Sequence, residues 1–600
     1  MRKAAAVTIG VDRTGGLDPL KSAARGAREV AEWLASEGFD VECLTDGPGT
    51  PVTASAVSTA IARFATKPAT YDLLVVYFSG HGQWHTRADH WLLSGAPQNT
   101  AEAINLEGAM YTARKSGIPN IVFISDACRT IPRNDVDSLV NGVDAFPNNG
   151  IQAPTKIDYF KATSDARPAW ELPIAGTDQS VLTHAILSAF ENPEPQIVKQ
   201  IATGGKTIQV VPNRLLESVL QARVDAILDG VDGDPTQDLE TNVPSADDVY
   251  IARVRPRAAG APAPSGPQGP PPLPPAPPSR PPSLDSSGSA PSHAAHRRPV
   301  RAVPGRAAAD AVSEALSGAD PELAPAGVNR AAIAARTPDP AADHFETETG
   351  FIIRGARIVD AAMSPPNNSN FNLLDNPNDP RGAAVRIAPG VPAQSVVVVV
   401  EGGRSVVLPA LKGYIAHAVF NEEGLANVSY VPSSNNWRWI DYESQRLEVD
   451  RLRALVALAV QHGTFQVRSE REARMLAERI RTGKAFDPTL GLYAAYAFAQ
   501  AGMDANVRDI AGYMRQDIKA DLFDVAMLAG GPAMWPAYDE ALVPFCPMLT
   551  QGWNLLRAYE TKLPDVVTTA SRFLTNSLWS TFTGRGTSLV LEAIKSGALR

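Results

Sequence analysis

The first 257 residues are predicted to form an α/β fold, an open sheet of mainly parallel strands with flanking helices. Strand-like and helix-like segments alternate along this part of the chain. Its two most apolar strands, at residues 71–78 and 118–125, are nearly continuous apolar runs rather than alternating ones. Strands of this kind are covered on both faces, which is typical of a parallel sheet between helices.

Each of the other N-terminal elements follows from its own pattern. Residues 4–10 form an apolar opening strand, and residues 20–36 place Ala, Val and Leu side chains on one face of a helix. The remaining predicted elements are a strand at 39–44, a helix at 54–65 and a helix at 106–116 between the two apolar strands.

A proline-rich segment divides the chain. Of the 50 Pro in the 600 residues, a large share lies between Pro256 and Pro304, and no Phe, Trp or Tyr occurs from Ala258 to His344. Such a segment buries too little apolar area to offset its ordering entropy. We therefore predict three parts: a domain at residues 1–257, a flexible Pro/Ala-rich linker at 258–344, and a C-terminal domain at 345–600.

The C-terminal domain is predicted to be α+β, with strands before helices. Its strand-like runs lie at 395–401 and 405–408, and helical patterns follow at 452–461, 470–482, 490–501 and 510–520. No motif in this domain indicates a ligand, so we expect it to regulate the N-terminal domain or to recognise an activating partner.

Composition excludes several classes of protein. A net charge of −9 argues against a general nucleic-acid partner. Three Cys cannot make a disulfide framework, and an odd number fits a reducing compartment. The apolar run Val396 to Val400 is far shorter than the roughly 20 residues of a membrane span. We thus expect a cytoplasmic protein with no membrane partner.

A histidine and a cysteine directly follow the two apolar strands. Residues 79–82 read SGHG and residues 126–129 read DACR, so His81 and Cys128 are 47 positions apart. Ligands of an open α/β sheet bind outside the carboxyl ends of its strands, so both side chains are expected at one edge. A histidine about 50 residues upstream of a cysteine is the spacing of a caspase nucleophile.

At this point the sequence resembles the caspase-like cysteine peptidases, which include metacaspases, paracaspases and their bacterial relatives. The resemblance covers about residues 3–254 and implies a caspase-like sheet. The matching segments are residues 7–10 (VTIG), 20–23 (LKSA), 37–41 (EGFDV), 79–82 (SGHG), 126–129 (DACR), 160–163 (FKAT), 168–171 (PAWE) and 180–183 (SVLT).

The resemblance implies a Cys/His dyad. A thiolate is the attacking species, so Cys128 is the predicted nucleophile and His81 its base and later proton donor. The N–H groups of Gly82 and Cys128 are implied as the oxyanion hole. The alternative is a small buried cysteine beside a core histidine. Cys43 and Cys546 are predicted to lie in the core.

The charge of the predicted pocket favours a basic substrate residue. Asp126 lies two before the cysteine, as in metacaspases and paracaspases, which cut after Arg or Lys. Glu171 falls where caspases carry their pocket arginine, and Trp170 precedes it. Alternatives remain: Asp126 as a loop residue bonded to its own backbone, Glu171 as a solvated charge, and Trp170 as core packing rather than a pocket wall.

The sequence also departs from the family pattern. Metacaspases carry an acid near their first helix, where this chain has Arg25-Gly26-Ala27, and we consider Asp18 as a substitute. Thr130 stands where caspases have Gly. These changes concern the detail of the pocket more than activity.

No metal or cofactor is predicted. His81, His85 and His90 follow a strand and lack the helical spacing of a zinc pair. The acidic residues between Asp225 and Glu240 lack the EF-hand spacing, although some metacaspases need calcium. A solvated loop is the alternative for this stretch.

The predicted function is therefore a regulated cysteine endopeptidase for signalling, cell death or defence, acting on a protein or peptide after Arg or Lys. A catalytically inactive caspase-like scaffold is the alternative. Self-cleavage is a further hypothesis, because the linker holds several arginines and two more follow the cysteine. These arginines are Arg280, Arg297, Arg298, Arg301 and Arg306 in the linker, and Arg129 and Arg133 after the cysteine.

Overall fold

The structure, a computed structural model, describes most of the chain on both sides of the predicted linker. The linker itself, including its five arginines, lies outside the described residues. The described residues are 2–65, 70–85, 88–130, 140–149, 155–163, 169–174, 177–191, 193–203, 206–229, 231, 236–254, 345–364, 371–375, 383–422, 424–461, 464–465, 470–530 and 542–599.

Strands and helices alternate in the N-terminal domain, as the sequence predicts. In chain order its elements are β1 (Ala4–Gly10), α1 (Ala23–Ser36), β2 (Asp40–Thr45), α2 (Ala54–Phe64), β3 (Leu73–Gly80), β4 (Gly82–His85), β5 (Ala88–Leu92), β6 (Ala103–Asn105), α3 (Leu106–Ala113), β7 (Asn120–Ala127), β8 (Lys156–Lys161), β9 (Glu171–Ile174), β10 (Thr177–Ser180), α4 (Val181–Glu191), β11 (Lys199–Thr203), β12 (Lys206–Pro212), α5 (Asn213–Leu228), β13 (Glu240–Asn242) and β14 (Tyr250–Arg253).

One six-stranded sheet organises this domain. Its strand order is β13-β8-β7-β3-β1-β2, and only β13 runs antiparallel to its neighbour. Three smaller antiparallel sheets surround it: β4-β5-β6, the β9–β10 hairpin and β11-β12-β14. The prediction of a mainly parallel caspase-like sheet is thus confirmed.

Both faces of the main sheet are covered, which explains its apolar runs. Every residue of β1 and β3 is buried. Side chains of one parity pack with α1, α4 and α5, and those of the other parity pack with α2 and α3. Leu73 and Val75 belong to the first core, and Leu74 and Val76 to the second, so both faces of β3 are covered.

Helix α1 begins three residues later than the predicted Leu20. The Leu20 N–H donates to the Asp12 carbonyl (2.8 Å), and the Ser22 hydroxyl donates to the Glu171 carboxylate (2.6 Å). The Asp12 carboxylate then accepts the N–H of Ala24 (3.0 Å) in the first turn. Ser22 is the N-cap residue, but its hydroxyl bonds to the distant Glu171 and not to the first turn, so contacts remote in sequence fix the start of the helix.

The cysteine prediction is half wrong. Cys546 is buried, as predicted, but Cys43 is exposed. Cys43 lies on β2, an edge strand of the main sheet. No residue of β2 is buried. An edge strand is solvated on its open side, which a short apolar sequence pattern does not reveal.

Strands precede helices in the C-terminal domain, as the sequence predicts. Its elements are β15 (Gly350–Arg354), β16 (Ile358–Met363), β17 (Phe371–Asp375), β18 (Ala383–Ile387), β19 (Ala393–Val400), β20 (Arg404–Leu411), β21 (Tyr414–Phe420), β22 (Leu425–Pro432), α6 (Trp439–Ala459), β23 (Val460–Gln461), β24 (Thr464–Phe465), α7 (Glu470–Ile480), α8 (Pro488–Gln500), α9 (Asp504–Ile518), β25 (Asp521–Leu522), α10 (Phe523–Leu528), β26 (Leu542–Val543), α11 (Asp565–Ala570), β27 (Thr581–Thr583) and α12 (Gly584–Lys595).

Two sheets and the helices form layers here. A five-stranded sheet (β17-β18-β15-β21-β22) and a four-stranded one (β16-β19-β20-β27) share one core with the central helices. The valine run of β19 faces two cores: Val396 and Val398 lie in the shared core, while Val397 and Val399 pack beside α11 and α12. The run is apolar because both sides of its strand are covered.

Helix α6 begins at Trp439, 13 positions before the predicted start at Leu452. Its buried side is formed by Tyr442, Val449 and Leu452, whereas Ile440 and Leu447 are exposed. Apolar residues on the solvent side blur the periodicity, so the pattern alone does not show the first turns.

The two domains contact each other through α3. The ring of Tyr111 on α3 lies 4.2 Å from that of Tyr559, and the Lys115 ammonium lies over both rings. The Arg557 guanidinium donates to the Gly142 carbonyl (2.9 Å). Both tyrosines are buried, so this contact joins the apolar core of the C-terminal domain to the helix that flanks the main sheet.

Among the described residues, no helix is both long enough and apolar enough to cross a membrane.

Replacement Tyr559→Ala should loosen the contact between the domains. It removes a buried ring, and large-to-small changes of this kind cost about 3 kcal/mol or more. Hydrogen–deuterium exchange followed by mass spectrometry should show faster uptake in α3. Tyr513, which is 59% exposed, provides a matched control in Tyr513→Ala. Equal α3 uptake in both variants would contradict the contact.

Candidate active site

The pairing of β3 with β7 brings His81 and Cys128 to neighbouring positions. The two strands run parallel, with Gly80 opposite Ala127 as their last pair. His81 and Cys128 are therefore the next residues along adjacent strands, whose spacing is about 4.8 Å. The structure places the two predicted dyad residues together at the carboxyl edge of the sheet.

Gly82 lies against the nucleophile loop. A Cβ atom at this position would stand 2.1 Å from the Cys128 carbonyl oxygen and 2.9 Å from the Ala127 Cβ. No larger residue fits without moving one of the two loops. Glycine is thus required here by contact with the cysteine backbone.

The N–H of Gly82 is not used by the β4–β5 ladder. The Leu92 N–H donates to the His81 carbonyl (2.9 Å), which makes Gly82 and Trp91 a pair without mutual hydrogen bonds. The Gly82 carbonyl accepts the Thr130 hydroxyl (3.3 Å) from the cysteine loop. Gly82 therefore directs its polar backbone groups away from β5.

His81 is oriented by the backbone of the Asp18 region. Its Nε2 lies 2.8 Å from the Asp18 carbonyl oxygen. A carbonyl only accepts, so Nε2 carries a proton and Nδ1 is the nitrogen that can take a second one. Asp18, considered above as a substitute carboxylate, contributes its main chain to this contact.

Cys128 is half-buried and held by residue 169. The Ala169 N–H donates to Sγ (3.3 Å), and Sγ lies 3.7 Å from the Ala169 carbonyl oxygen. Burial raises the pKa of the Cys128 thiol, the Asp126 and Glu171 carboxylates raise it further, and the bond from Ala169 opposes them. The thiol is therefore protonated at neutral pH in this arrangement.

Asp126 is buried under three hydroxyl groups. Its carboxylate accepts hydrogen bonds from Ser180 (2.5 Å), Thr183 and Tyr77 (3.4 Å). Burial raises its pKa, while the Ser180 and Thr183 hydroxyls lower it. Asp126 bonds to side chains of β3, β10 and α4, which differs from the local backbone contact considered as the alternative.

Glu171 lies next to Asp126 through the β9–β10 hairpin. Ser180, which donates to Asp126, is the cross-strand partner of Glu171. The Glu171 carboxylate accepts the Ser22 hydroxyl (2.6 Å). Two carboxylates thus flank the cysteine, and both act electrostatically on its thiol.

Trp170 is positioned by a short segment before β13. Its backbone N–H donates to the Gln237 side chain (2.9 Å), and its indole N–H donates to the Thr236 carbonyl (3.2 Å). The side chain remains 36% exposed. This exposure contradicts the alternative of core packing and leaves the pocket wall as a prediction.

A buried ionic cluster next to Cys128 was not predicted from the sequence. Arg129 donates to the carboxylates of Asp89 and Glu240 and to the Thr163 carbonyl. The Lys161 ammonium lies 2.7 Å from Asp89, 3.2 Å from Glu240 and 3.7 Å from Glu107. These acids come from β5, α3 and β13, and only the arginine after the cysteine offered a sequence signal.

This cluster corrects two sequence interpretations. Glu240 is neither a calcium ligand nor a solvated loop residue, since it pairs with Arg129 and Lys161. Arg129 is 4% exposed and ion-paired, so its side chain cannot reach a specificity pocket as a self-cleavage site. Arg133 lies outside the described residues. Within the described part of the chain, no three His, Cys, Asp or Glu side chains are arranged to hold a metal.

A comparison with protein families identifies the N-terminal domain. Residues 3–204 match the model of the peptidase C14 family, described as the caspase domain. This match places residues 3–204 in the caspase-like cysteine peptidase superfamily and confirms the resemblance found in the motifs. No curated protein matches the chain in sequence.

Two solved structures are similar at low identity. A Geobacter sulfurreducens protein, GSU0716, is 14% identical, with 42% of this chain and 97% of that protein covered and a TM-score of 0.28. Caspase-1 from Spodoptera frugiperda is 13% identical, with 40% and 88% covered and a TM-score of 0.28. Because the TM-scores are low, the assignment rests on the family match.

Glu107 should make stability fall as pH rises. Burial and the nearby Asp89 raise the pKa of Glu107 from 4.5 to about 8. Between these values the native state holds a proton that the unfolded state lacks, so unfolding becomes easier as pH increases. Urea unfolding of Glu107→Gln from pH 5 to 8 should show that the free energy of unfolding falls less steeply with pH than in the wild type. Glu29→Gln, at a partly exposed position on α1, should keep the wild-type slope; a wild-type slope in Glu107→Gln would contradict the assignment.

Proposed function

We propose that the N-terminal domain is a cysteine endopeptidase that uses a Cys128/His81 dyad and cleaves after Arg or Lys. The observation that carries this proposal is the pair of carboxylates, Asp126 and Glu171, that flanks the cysteine. Asp126 lies two residues before Cys128, and Glu171 lies two residues after Ala169, whose N–H donates to Sγ. Asp126 is buried and Glu171 is half-buried, and a carboxylate pair that is partly removed from water favours a cationic partner.

The reaction follows from the positions of these groups. Nδ1 of His81 takes the thiol proton as Sγ forms a bond to the scissile carbonyl carbon. The resulting oxyanion accepts hydrogen bonds from the N–H groups of Gly82 and Cys128. When the C–N bond breaks, the imidazolium returns the proton to the leaving amine. A water molecule, deprotonated by His81, then hydrolyses the thioester.

A cationic substrate would also activate the cysteine. The Asp126 and Glu171 carboxylates raise the pKa of the Cys128 thiol and so disfavour the thiolate. A guanidinium placed between the carboxylates offsets their charge and lowers the thiol pKa. The substrate that fits the pocket thereby favours the reactive form of the nucleophile.

The protonated thiol supports regulation. Cys128 bonds to Ala169, and no described hydrogen bond joins it to His81. We propose that an activating partner of the C-terminal domain shifts this arrangement, in a signalling, cell-death or defence role. The same resting contact favours the alternative function, an inactive caspase-like scaffold. Self-cleavage remains a hypothesis for the linker arginines and for Arg133.

Peptide cleavage tests the proposal directly. Fluorogenic tetrapeptides that end in Arg, Lys or Asp before the scissile bond should be compared with wild-type protein and Cys128→Ala. We expect cleavage of the Arg and Lys peptides, none above background in Cys128→Ala, and little of the Asp peptide. Faster cleavage of the Asp peptide would falsify the specificity. Turnover in Cys128→Ala equal to that of the wild type would rule out the Cys128/His81 dyad.

Replacement Glu171→Gln should weaken binding of the basic side chain. The loss of one partner of a desolvated charge pair costs about 2 kcal/mol or more, which is roughly 30-fold. We expect this loss mainly in KM for Arg peptides. Asp178→Asn is the matched control, because Asp178 lies on the same hairpin but pairs with Lys21. An equal effect of both changes would show that hairpin charge, rather than the pocket, is responsible.

A further inference from the structure

The loop that carries Cys128 is held on two sides. On one side, Thr130 bonds to the strand after His81: the Trp84 N–H donates to the Thr130 carbonyl (2.9 Å), and the Thr130 hydroxyl donates to Gly82. On the other side, the Arg129 guanidinium reaches into the buried ionic cluster. The position of the cysteine backbone between them depends on both attachments.

The anchors of Arg129 come from separate parts of the fold. Asp89 belongs to β5, Thr163 follows β8, and Glu240 begins β13 at the edge of the main sheet. Glu240 also pairs with Lys161, so it contacts both cations of the cluster. Burial opposes its charge, but Arg129 and Lys161 lower the pKa of Glu240 to about 2, so it stays ionised at neutral pH.

The segment that ends in Glu240 touches both sides of the candidate site. Its Gln237 side chain accepts the Trp170 N–H, and Thr236 accepts the Trp170 indole. Four residues later, Glu240 holds Arg129. One short segment therefore contacts the residue before Glu171 and the residue after Cys128.

We propose that Glu240 is a positioning residue for the reaction at Cys128: through Arg129 it fixes the nucleophile loop relative to His81 and Gly82. This inference rests on the proposed peptidase function. Glu240 does not touch the substrate in this account, so its removal should lower kcat and leave KM nearly unchanged. A displacement of the nucleophile by about 1 Å is enough to cost roughly 100-fold in rate.

The cluster also predicts how the loss of activity in Glu240→Gln depends on pH. With both cations charged, the carboxylates of Asp89 and Glu240 balance them, and Glu107 is protonated below about pH 8. In Glu240→Gln the cluster gains a positive charge, which Glu107 can offset by ionising. Ionised Glu107 attracts Lys161, so more of the Asp89 charge remains for Arg129. The variant should therefore recover part of its activity as pH rises.

His90 and Tyr159 do not supply this titration. Burial lowers the pKa of His90 to about 4 and raises that of Tyr159, so both stay neutral from pH 6 to 8. Among the described residues, the charged or titratable groups that face the cluster are Asp89, His85 and His90 from β4 and β5, Arg129 after β7, Tyr159 and Lys161 from β8, and Glu240 from β13. The double variant in the test below separates Glu107 from His85.

The test compares wild type, Glu240→Gln, Glu240→Asp and the double variant Glu240→Gln/Glu107→Gln in the full chain. We expect kcat for the Arg peptide to fall roughly 10- to 100-fold in Glu240→Gln at pH 6.5, with KM changed by less than about threefold. The ratio of variant to wild-type kcat should rise between pH 6.5 and 8 in the single variant and stay flat in the double one. Glu240→Asp, which keeps the charge, should recover most of the rate.

Asp158→Asn controls for a purely structural effect. Asp158 is also a buried carboxylate of this sheet, bonded to Asn213 and Ser245. Replacement Asp158→Asn should lower the melting temperature without lowering kcat of the folded protein. If Glu240→Gln behaves like Asp158→Asn, with a lower melting temperature, an unchanged kcat and a flat pH ratio, the positioning role is wrong.

Alkylation separates this inference from the proposed function. Failure of the wild type to cleave any peptide would overturn the peptidase function alone. The rate at which iodoacetamide labels Cys128 needs no catalysis, and a released loop should expose the thiol and raise this rate at least about threefold in Glu240→Gln. A labelling rate equal to wild type in folded Glu240→Gln, or in folded Arg129→Lys if the Gln variant does not fold, would overturn the inference by itself. Glu240→Asp, which keeps the charge, should stay near the wild-type labelling rate.

Discussion

The parallel pairing of β3 with β7 is the constraint on which the candidate site depends. With Gly80 opposite Ala127, the chain leaves both strands at the same height and must place His81 beside Cys128. The contact between Gly82 and the cysteine carbonyl leaves no room for a side chain, so the two loops are fixed against each other. The same register places Asp126, the residue before Ala127 on β7, at this edge of the sheet, opposite Ser79.

Charge gives this edge its chemical character. Two carboxylates stand beside a thiol whose pKa they raise, and burial acts in the same direction. Carboxylates that disfavour the thiolate are consistent with the proposed cationic substrate, whose positive charge would offset them. On the opposite side of the cysteine, Arg129 is neutralised by a separate set of acids, so the two acidic groups serve different purposes.

The parts of the fold that were predictable depend on local patterns. Continuous apolar runs identified the central strands, and motifs at their ends identified His81 and Cys128. The start of α1 was missed because Asp12 and Glu171 fix it from a distance. The Arg129 cluster was missed for the same reason: Glu240 is 111 positions from Arg129 in the sequence, and neither periodicity nor spacing links them. Exposure of Cys43 required knowledge of the strand order.

The most direct measurement of the central claim is the site of covalent labelling by a peptidyl fluoromethyl ketone. The reagent with Arg next to the ketone should be compared with the matched Asp reagent, and the labelled residue identified by mass spectrometry of peptides. We expect faster labelling by the Arg reagent than by the Asp reagent. Labelling should be confined to Cys128, which is half-buried, even though Cys43 is exposed. Labelling of Cys43 alone, or faster labelling by the Asp reagent, would contradict this expectation.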